Sequence, residues 1–425
     1  MRKIVCLALL LLFSARALYS QDQAVISATL LDAHNKKPVH LAVISLKSSN
    51  ISIVTNQDGY FTLKLPADRV TPRDSVSISY LGYATLMLPV TILLQKDNKK
   101  TPELFLYPIA YSLDPAIIHP NEPTAIFDLA FAKVKNNFTQ DDVSMSAFYR
   151  EIFRKGNREY LSLNEAVVDI SKPGYRSTGK SSRVALYKGR KSTNIEKGDS
   201  LLFSLRGGPL SALDLDIVKD PFVGVYLKDA HVFYDFEFGE HQVIDDKIFI
   251  VLLFKEKKDP ERQQLYYMGK IFIELGTYAI GRIEFEMDLA RMPDAEKYFI
   301  KSKPKNYKFD ILSTKYIANY KEDDRGLWNF SYSRFDLELS AYKRFSLFKK
   351  HYYITSELAI TDIIHDGATI APEDRLKYSD IISNKMSDFE DGDFWMEYNV
   401  IEPDQSIEII LNRIIRQLKR EDRRR

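Results

Sequence analysis

Residues 270–289 alternate apolar and polar side chains with a period of two, and this constrains the fold more than any other feature of the chain. Ile271, Ile273 and Leu275 fall on one side, and Lys270, Phe272 and Glu274 on the other. Ile283, Phe285, Met287 and Leu289 then alternate with Arg282, Glu284, Glu286 and Asp288, with Gly276-Thr277-Tyr278 making the reversal between the two runs. Period two is the repeat of a pleated strand, and one apolar face against one polar face predicts an antiparallel sheet wet on one side. Similar alternation occurs in Tyr234–Phe238 and Phe335–Leu339. Further strands are expected at Ala147–Phe153, Tyr160–Ile170, Phe309–Tyr320, Trp328–Tyr332 and Tyr352–Ile360. About ten strands with short turns predict a large, curved antiparallel sheet or partial barrel, placed at residues 143–402. The 25 Tyr and 25 Phe, against 8 Met, suit strands better than helices.

The 425 residues leave room for two or three domains. Met1-Arg2-Lys3, the apolar run Ile4–Phe13 and small residues at Ser14, Ala15, Ala17 and Ser20 form the pattern of a secretory signal peptide over residues 1–20, with cleavage expected before Gln21. Its apolar run is too short to span a bilayer. Cys6 is the only cysteine and lies in this leader, without a lipoprotein box before it. The mature chain therefore has no cysteine, which excludes disulfides, thiolate metal clusters and a Cys nucleophile. The longest later apolar run, Ile248–Phe254, suits a buried strand rather than a membrane helix. With 60 basic and 58 acidic residues, no charge excess points to nucleic acid.

Residues 22–95 read as short strands broken by turn signals: Val25–Leu31, His40–Leu46, Ile51–Thr55, Tyr60–Leu65, Val76–Tyr80 and Ala84–Val90. That spacing predicts a small β-sandwich. Asp32 with Pro38, then Thr55-Asn56-Gln57-Asp58-Gly59-Tyr60-Phe61 and Ser79-Tyr80-Leu81-Gly82-Tyr83, resemble the carboxypeptidase-regulatory-like domain. The resemblance implies a transthyretin-like accessory sandwich of Gram-negative envelope proteins. In it Gly59 serves a turn, Phe61 the core and Gly82 a bend, with no catalysis.

Residues 96–142 are expected to form a Pro-rich linker and a helix from Thr124, with Ile126, Leu129, Ala130 and Val134 at helical spacing. Gly269–Glu274 followed by Tyr278–Phe285 resembles a hairpin of periplasmic lipoprotein-carrier-type half-barrels. That resemblance implies an apolar concave face for acyl chains, with a helix in the cavity. Residues 403–425 are expected to form an amphipathic C-terminal helix with Ile407, Ile410, Leu411, Ile414, Ile415 and Leu418 as its stripe and a basic tail after it.

No H-E-x-x-H, G-x-S-x-G or phosphate-loop motif occurs. His119 and Glu122 form an H-x-x-E pair, with His231 as a distant third zinc ligand, but the pair sits in a connector rather than on a rigid element. Glu284 with Glu286, His365 with Asp366, the Asp323-Asp324 pair and the Asp388–Asp393 stretch each have an ordinary explanation as solvated strand or loop residues. Tyr266-Tyr267, Tyr352-Tyr353, Trp328, Phe330 and Tyr332 form aromatic groups suited to cross-strand pairing or to lining a ligand surface.

The mainly β reading therefore assigns no catalytic, cofactor or metal residue. It predicts a non-enzymatic exported protein of the periplasm, or of the periplasmic face of the outer membrane, in a Gram-negative-type cell. Lipid or another apolar ligand, or an envelope protein partner, is expected on the sheet. An outer-membrane β-barrel and a zinc-dependent hydrolase stand as alternatives.

Overall fold

Alternation across the first hundred residues produces two small sheets whose inward side chains meet. A computed structural model describes residues 23–94, 101–109, 120–156, 159–177, 179–193, 208–219, 233–257, 266–300, 306–343, 346, 348–388, 394–395, 398–409 and 411–412. The leader, His119, His231 and the basic tail lie outside the described residues. Strand β1 (Gln23–Asp32) pairs antiparallel with β4 (Tyr60–Pro66) and parallel with β7 (Glu103–Leu106). The facing sheet has the order β3 (Ser52–Val54), β2 (Val43–Leu46), β5 (Ser75–Ser79), β6 (Leu86–Pro89), followed by a helical turn α1 (Val90–Leu94). Ile26, Ala28 and Leu30 of β1 meet Phe61, Leu63 and Leu65 of β4 and Ile44, Ile53 and Ile78 of the other sheet. Strand β7 falls in the stretch read from sequence as linker. An isolated strand pairing with β1 carries no strong period of its own, so only the register reveals it.

The motif residues do the architectural work expected of them. Gly59 sits at φ +72°, where an added Cβ would lie 2.3 Å from the Leu30 carbonyl oxygen. Gly82 also has positive φ. Tyr83 OH donates to Asp32 Oδ2 (2.6 Å), joining the first and last elements of the motif, and burial with the Asp32 bond pushes the Tyr83 hydroxyl up to about 12.

The helix expected from Thr124 is α2 (Pro123–Ala132), with Pro123 at its first position, and a further turn, α3 (Val134–Asn137), follows. Beyond it lies a sheet of twelve strands. They are β8 (Val143–Lys155), β9 (Glu159–Lys172), β10 (Arg183–Thr193), β11 (Tyr234–Phe238), β12 (Gln242–Ile244), β13 (Lys247–Glu256), β14 (Tyr267–Glu274), β15 (Ile280–Met287), β16 (Tyr307–Glu322), β17 (Trp328–Lys343), β18 (Lys350–Ile364) and β19 (Ser387–Asp388). Their order is β11-β13-β14-β15-β16-β17-β18-β8-β9-β10-β19, with β12 also on β13. All pairs are antiparallel except β10 with β19. The two short helices α4 (Pro209–Leu213) and α5 (Glu296–Phe299) lie off the sheet. Among the described residues β11 and β19 do not pair, so the sheet stays open, whereas a membrane barrel has to close.

One-sided wetting holds only away from the middle of this sheet. In β8 the residues Ala147 and Tyr149 enter one core, while Phe148 between them packs into the core of the sandwich. The same split occurs in β9, with Ala166 and Val168 against Val167, and in β18, with Leu358 and Ile360 against Ala359. The central strands are thus covered on both faces, by the sandwich on one and by the helices on the other. Trp328, Phe330 and Tyr332 also depart from simple alternation. A register shift between Asn319 and Tyr320 of the partner strand sends Tyr332 to the sandwich side, away from Phe330.

Polar contacts lock the sandwich onto the sheet. Gly82 N–H donates to the Val243 carbonyl (2.8 Å), and Thr85 N–H to Asp246 Oδ1 (3.1 Å). The edge of β4 is closed by Asn399, which accepts from Lys64 N–H (2.7 Å) and donates to its carbonyl (2.9 Å). Of the C-terminal helix, residues 405–409 and 411–412 are described as helical. Asp404 Oδ1 accepts the Ile407 N–H (2.9 Å), and Ile407 and Leu411 pack on Ile152 and Leu163. Asp58 of the turn motif accepts the Gln405 N–H (2.6 Å), a structural use rather than a ligand site.

Candidate functional site

On the helical face, strands β8, β16, β17 and β18 and helices α4 and α5 enclose a cavity of about 200 Å³. It is lined by Tyr149, Glu151, Ser211, Tyr316, Phe335 and Ser356, with Phe299 and Tyr298 from α5 at one side. Strand register brings the polar group together: Glu151 stands opposite Ser356 on one neighbour and Asn164 on the other. Tyr149 OH donates to Glu151 Oε2 (3.0 Å), Asn164 Nδ2 donates to Oε1 (3.1 Å), and Ser356 Oγ donates to the Tyr149 hydroxyl (3.2 Å). Burial pushes the Glu151 carboxyl above its ordinary range, against the two hydrogen bonds that favour its ionised form. Burial, with Glu151 beside it, drives the Tyr149 hydroxyl well above its usual value.

The opposite wall is aromatic. Phe285, Tyr316 and Phe335 are cross-strand partners on β15, β16 and β17. Their rings stack at centroid separations of 4.7 and 4.8 Å, and Phe299 of α5 continues the stack onto Phe335 at 5.7 Å. Three of these four rings, Tyr316, Phe335 and Phe299, line the cavity together with a small hydrogen-bonding group, the usual composition of a small-molecule site. Phe285 and Phe335 belonged to strands legible in the sequence. Glu151 did not stand out, because a charged residue in an alternating strand ordinarily faces water, and only the register with Asn164 and Ser356 marks it.

A network of charges fills the sandwich-facing side of the same strands. Arg150 Nε donates to Glu165 Oε1 (2.9 Å) and its Nη2 to the Ile401 carbonyl, while Nη1 lies 3.5 Å from Glu357. Arg190 pairs with the other Glu165 oxygen (2.7 Å), and Tyr332 OH donates to Glu357 (2.9 Å). Each of these buried charges has its opposite, and the network ties five strands, β8, β9, β10, β17 and β18, to the C-terminal segment.

The residues singled out for chemistry have structural employment. Glu284 is paired with Arg282 at 2.6 Å. Asp366 accepts from Ser144 Oγ (2.6 Å) and the Ala368 N–H (3.0 Å). The fold does bring Asp323, Asp324 and His365 together, with His365 Nε2 3.3 Å from Asp323 Oδ2. Asp323 already accepts from Arg325 Nη2, Asn329 Nδ2 and the N–H groups of Arg325 and Leu327, and Asp324 is joined to Asn50 of the sandwich. Glu122 caps the start of α2, and its proposed zinc partners lie outside the described residues. A second hollow, of about 140 Å³, lies between sandwich and sheet and is lined in part by Trp328 and Lys321. Burial there lowers the Lys321 ammonium to about 8.

Residues 26–117 match the family model of the CarboxypepD_reg-like domain, and the sandwich is such a domain. Among solved structures, MucB is similar at 9% identity over 55% of this chain and 96% of that chain, with a TM-score of 0.18. A structure described as lipid–protein interactions in lipovitellin matches at 10% identity over 58% of this chain and 28% of that chain, with a TM-score of 0.25. The MucA/MucB complex of Pseudomonas aeruginosa matches at 11% identity over 55% and 93% of the two chains, with a TM-score of 0.16. No curated protein matches the sequence.

Proposed function

We propose that this is a non-enzymatic, exported cell-envelope protein that binds a small amphiphilic molecule on the helical face of its large sheet. The observation that carries the reading is the cavity of about 200 Å³ between the aromatic file and the Tyr149–Glu151–Ser356 group. An apolar cavity of about 150 Å³ accommodates a benzene-sized molecule, so this one suits a single ring or short branched chain with one polar end. It is too small for the full acyl chains of a lipoprotein. The leader pattern and the accessory sandwich support export. The sandwich, in this reading, stiffens the sheet from behind and leaves the helical face to the ligand.

Titration with benzyl alcohol, followed by NMR shifts of the cavity tyrosines, tests the reading. Wild type is expected to saturate at millimolar probe, and Ser211→Trp, which fills the cavity from α4, to lose the response. Equal responses from the two proteins would refute it. Cell fractionation checks the location: a mature chain beginning at Gln21 and released by carbonate extraction is expected.

A further inference from the structure

Between the sandwich and the sheet, the hollow of about 140 Å³ contains a lysine whose charge its surroundings leave over. We propose that this hollow is a second ligand site, taking a small monoanionic carboxylate whose charged end meets Lys321 and whose short apolar part lies against Phe249 and Trp328. It shares no lining residue with the cavity on the helical face.

Charge carries the first part. Four basic side chains line the hollow: Lys47, Lys247, Arg282 and Lys321. Three of them have acidic partners, with Lys47 3.6 Å from Asp245, Lys247 paired with Glu322, and Arg282 2.6 Å from Glu284. The two remaining acids of the lining are engaged as well, Asp323 by Arg325 at 2.9 Å and by Asn329, and Asp324 by Asn50. Lys321, partly buried at the end of β16, makes no ion pair or hydrogen bond among the described residues. An ammonium offers three donors, and a carboxylate meets them with charge-assisted hydrogen bonds. One positive charge left over in a partly desolvated space is matched by one negative charge, which favours a monoanion.

Shape carries the second part. Gly281 makes room for two rings: a Cβ there would lie 2.5 Å from the Phe249 ring and 3.3 Å from the Trp328 ring. These rings meet edge to face at 6.2 Å, and Leu41 and Val43 of the sandwich add to the apolar lining. An apolar cavity of about 150 Å³ accommodates a benzene-sized molecule, so the hollow suits a short branched chain. Burial lowers the Lys321 ammonium to about 8, with Lys47 acting in the same direction and Asp245 and Asp323 against it. That agrees with a cation lacking a close counter-ion.

Isobutyrate, its neutral amide isobutyramide and inorganic phosphate are the probes, titrated into the full mature chain at about pH 7. The indole N–H signals of Trp328 and Trp395, the two tryptophans of the chain, are followed by NMR. Isobutyrate is expected to shift Trp328, leave Trp395 in place and bind at least about tenfold more tightly than isobutyramide. Lys321→Gln should abolish that preference. Wild type itself, with no substitution, should lose affinity for isobutyrate progressively above about pH 8, as the ammonium gives up its proton. Ser211→Trp fills only the helical-face cavity and should bind isobutyrate as wild type does, so the two sites stand or fall separately. Equal binding of acid and amide, an affinity unchanged between about pH 7 and about pH 9, or a response confined to Trp395 would overturn the proposal. Phosphate binding as tightly as isobutyrate would overturn the assignment to a carboxylate.

Discussion

Replacing Arg150 with Met separates two views of how the sandwich, the sheet and the C-terminal segment are held together. The Arg150 side chain is 3% exposed and serves Glu165 through Nε and Nη2, the Ile401 carbonyl through Nη2, and Glu357 through Nη1. Hydrogen bonds to charged groups contribute about 1.5–3 kcal/mol each, but the loss is smaller than their sum because neither acid is abandoned. Glu165 keeps Arg190 at 2.7 Å, and Glu357 keeps Tyr332 at 2.9 Å and Arg334 at 3.5 Å. The expected destabilisation is that of a broken buried pair, about 3–5 kcal/mol, read from urea unfolding. A second variant, Arg150→Met with Glu165→Met, removes the under-compensated carboxylate as well and should recover part of that loss, since a buried pair often exchanges for apolar residues at little net penalty. Arg190 then loses its Glu165 contact, so recovery is incomplete. A loss under about 1 kcal/mol for Arg150→Met would mark the pair as solvated and refute the reasoning. So would strict additivity in the double variant.

The remaining predictions concern single features. Glu151→Gln should stabilise the protein increasingly as pH climbs above the ordinary carboxyl range: a carboxyl raised by burial contributes most when both folded and unfolded forms are protonated, and loses that contribution as pH climbs through its folded value; identical melting shifts at acid and neutral pH would contradict this. Gly59→Ala forces a Cβ toward the Leu30 carbonyl at φ +72° and should cost more than about 1 kcal/mol in thermal unfolding; an unchanged melting temperature would show that the turn relaxes freely. Trp395→Ala removes a ring packed edge-on against Phe148 at 5.8 Å and beneath the Arg190 guanidinium. Its expected loss is about 3–5 kcal/mol, and protease susceptibility of the C-terminal segment should rise with it; neither change would mean that the segment is held elsewhere.

The β character was legible because it rests on local rules. Period-two patterning placed β14, β15, β16 and β18 near their observed positions, and Asp58-Gly59 declared a turn that Gly59 indeed makes with positive φ. Helix α2 was legible from Ile126 and Ala130, both buried. What the pattern did not disclose is a face that is polar in sequence yet buried. Arg150, Glu165 and Glu357 carry charge on the strands, and they are covered because the sandwich and the C-terminal segment close over them. Strand β7 stayed hidden for a related reason, since four residues have too little period to announce a parallel partner.

Sequence alone determined that this chain builds a small sandwich and a long antiparallel sheet. Alternation, turn glycines and aromatic strand residues act over a few positions, and their consequences are the same wherever the strands later lie. Tertiary structure decided which side of the sheet each docked element covers, and hence which charges are buried. It also decided that Glu151, Asn164 and Ser356 share one strand row, and that four rings from three strands and a helix stand in file beside them. Register and docking are long-range choices, set by the burial of whole faces, and no short window of residues contains them.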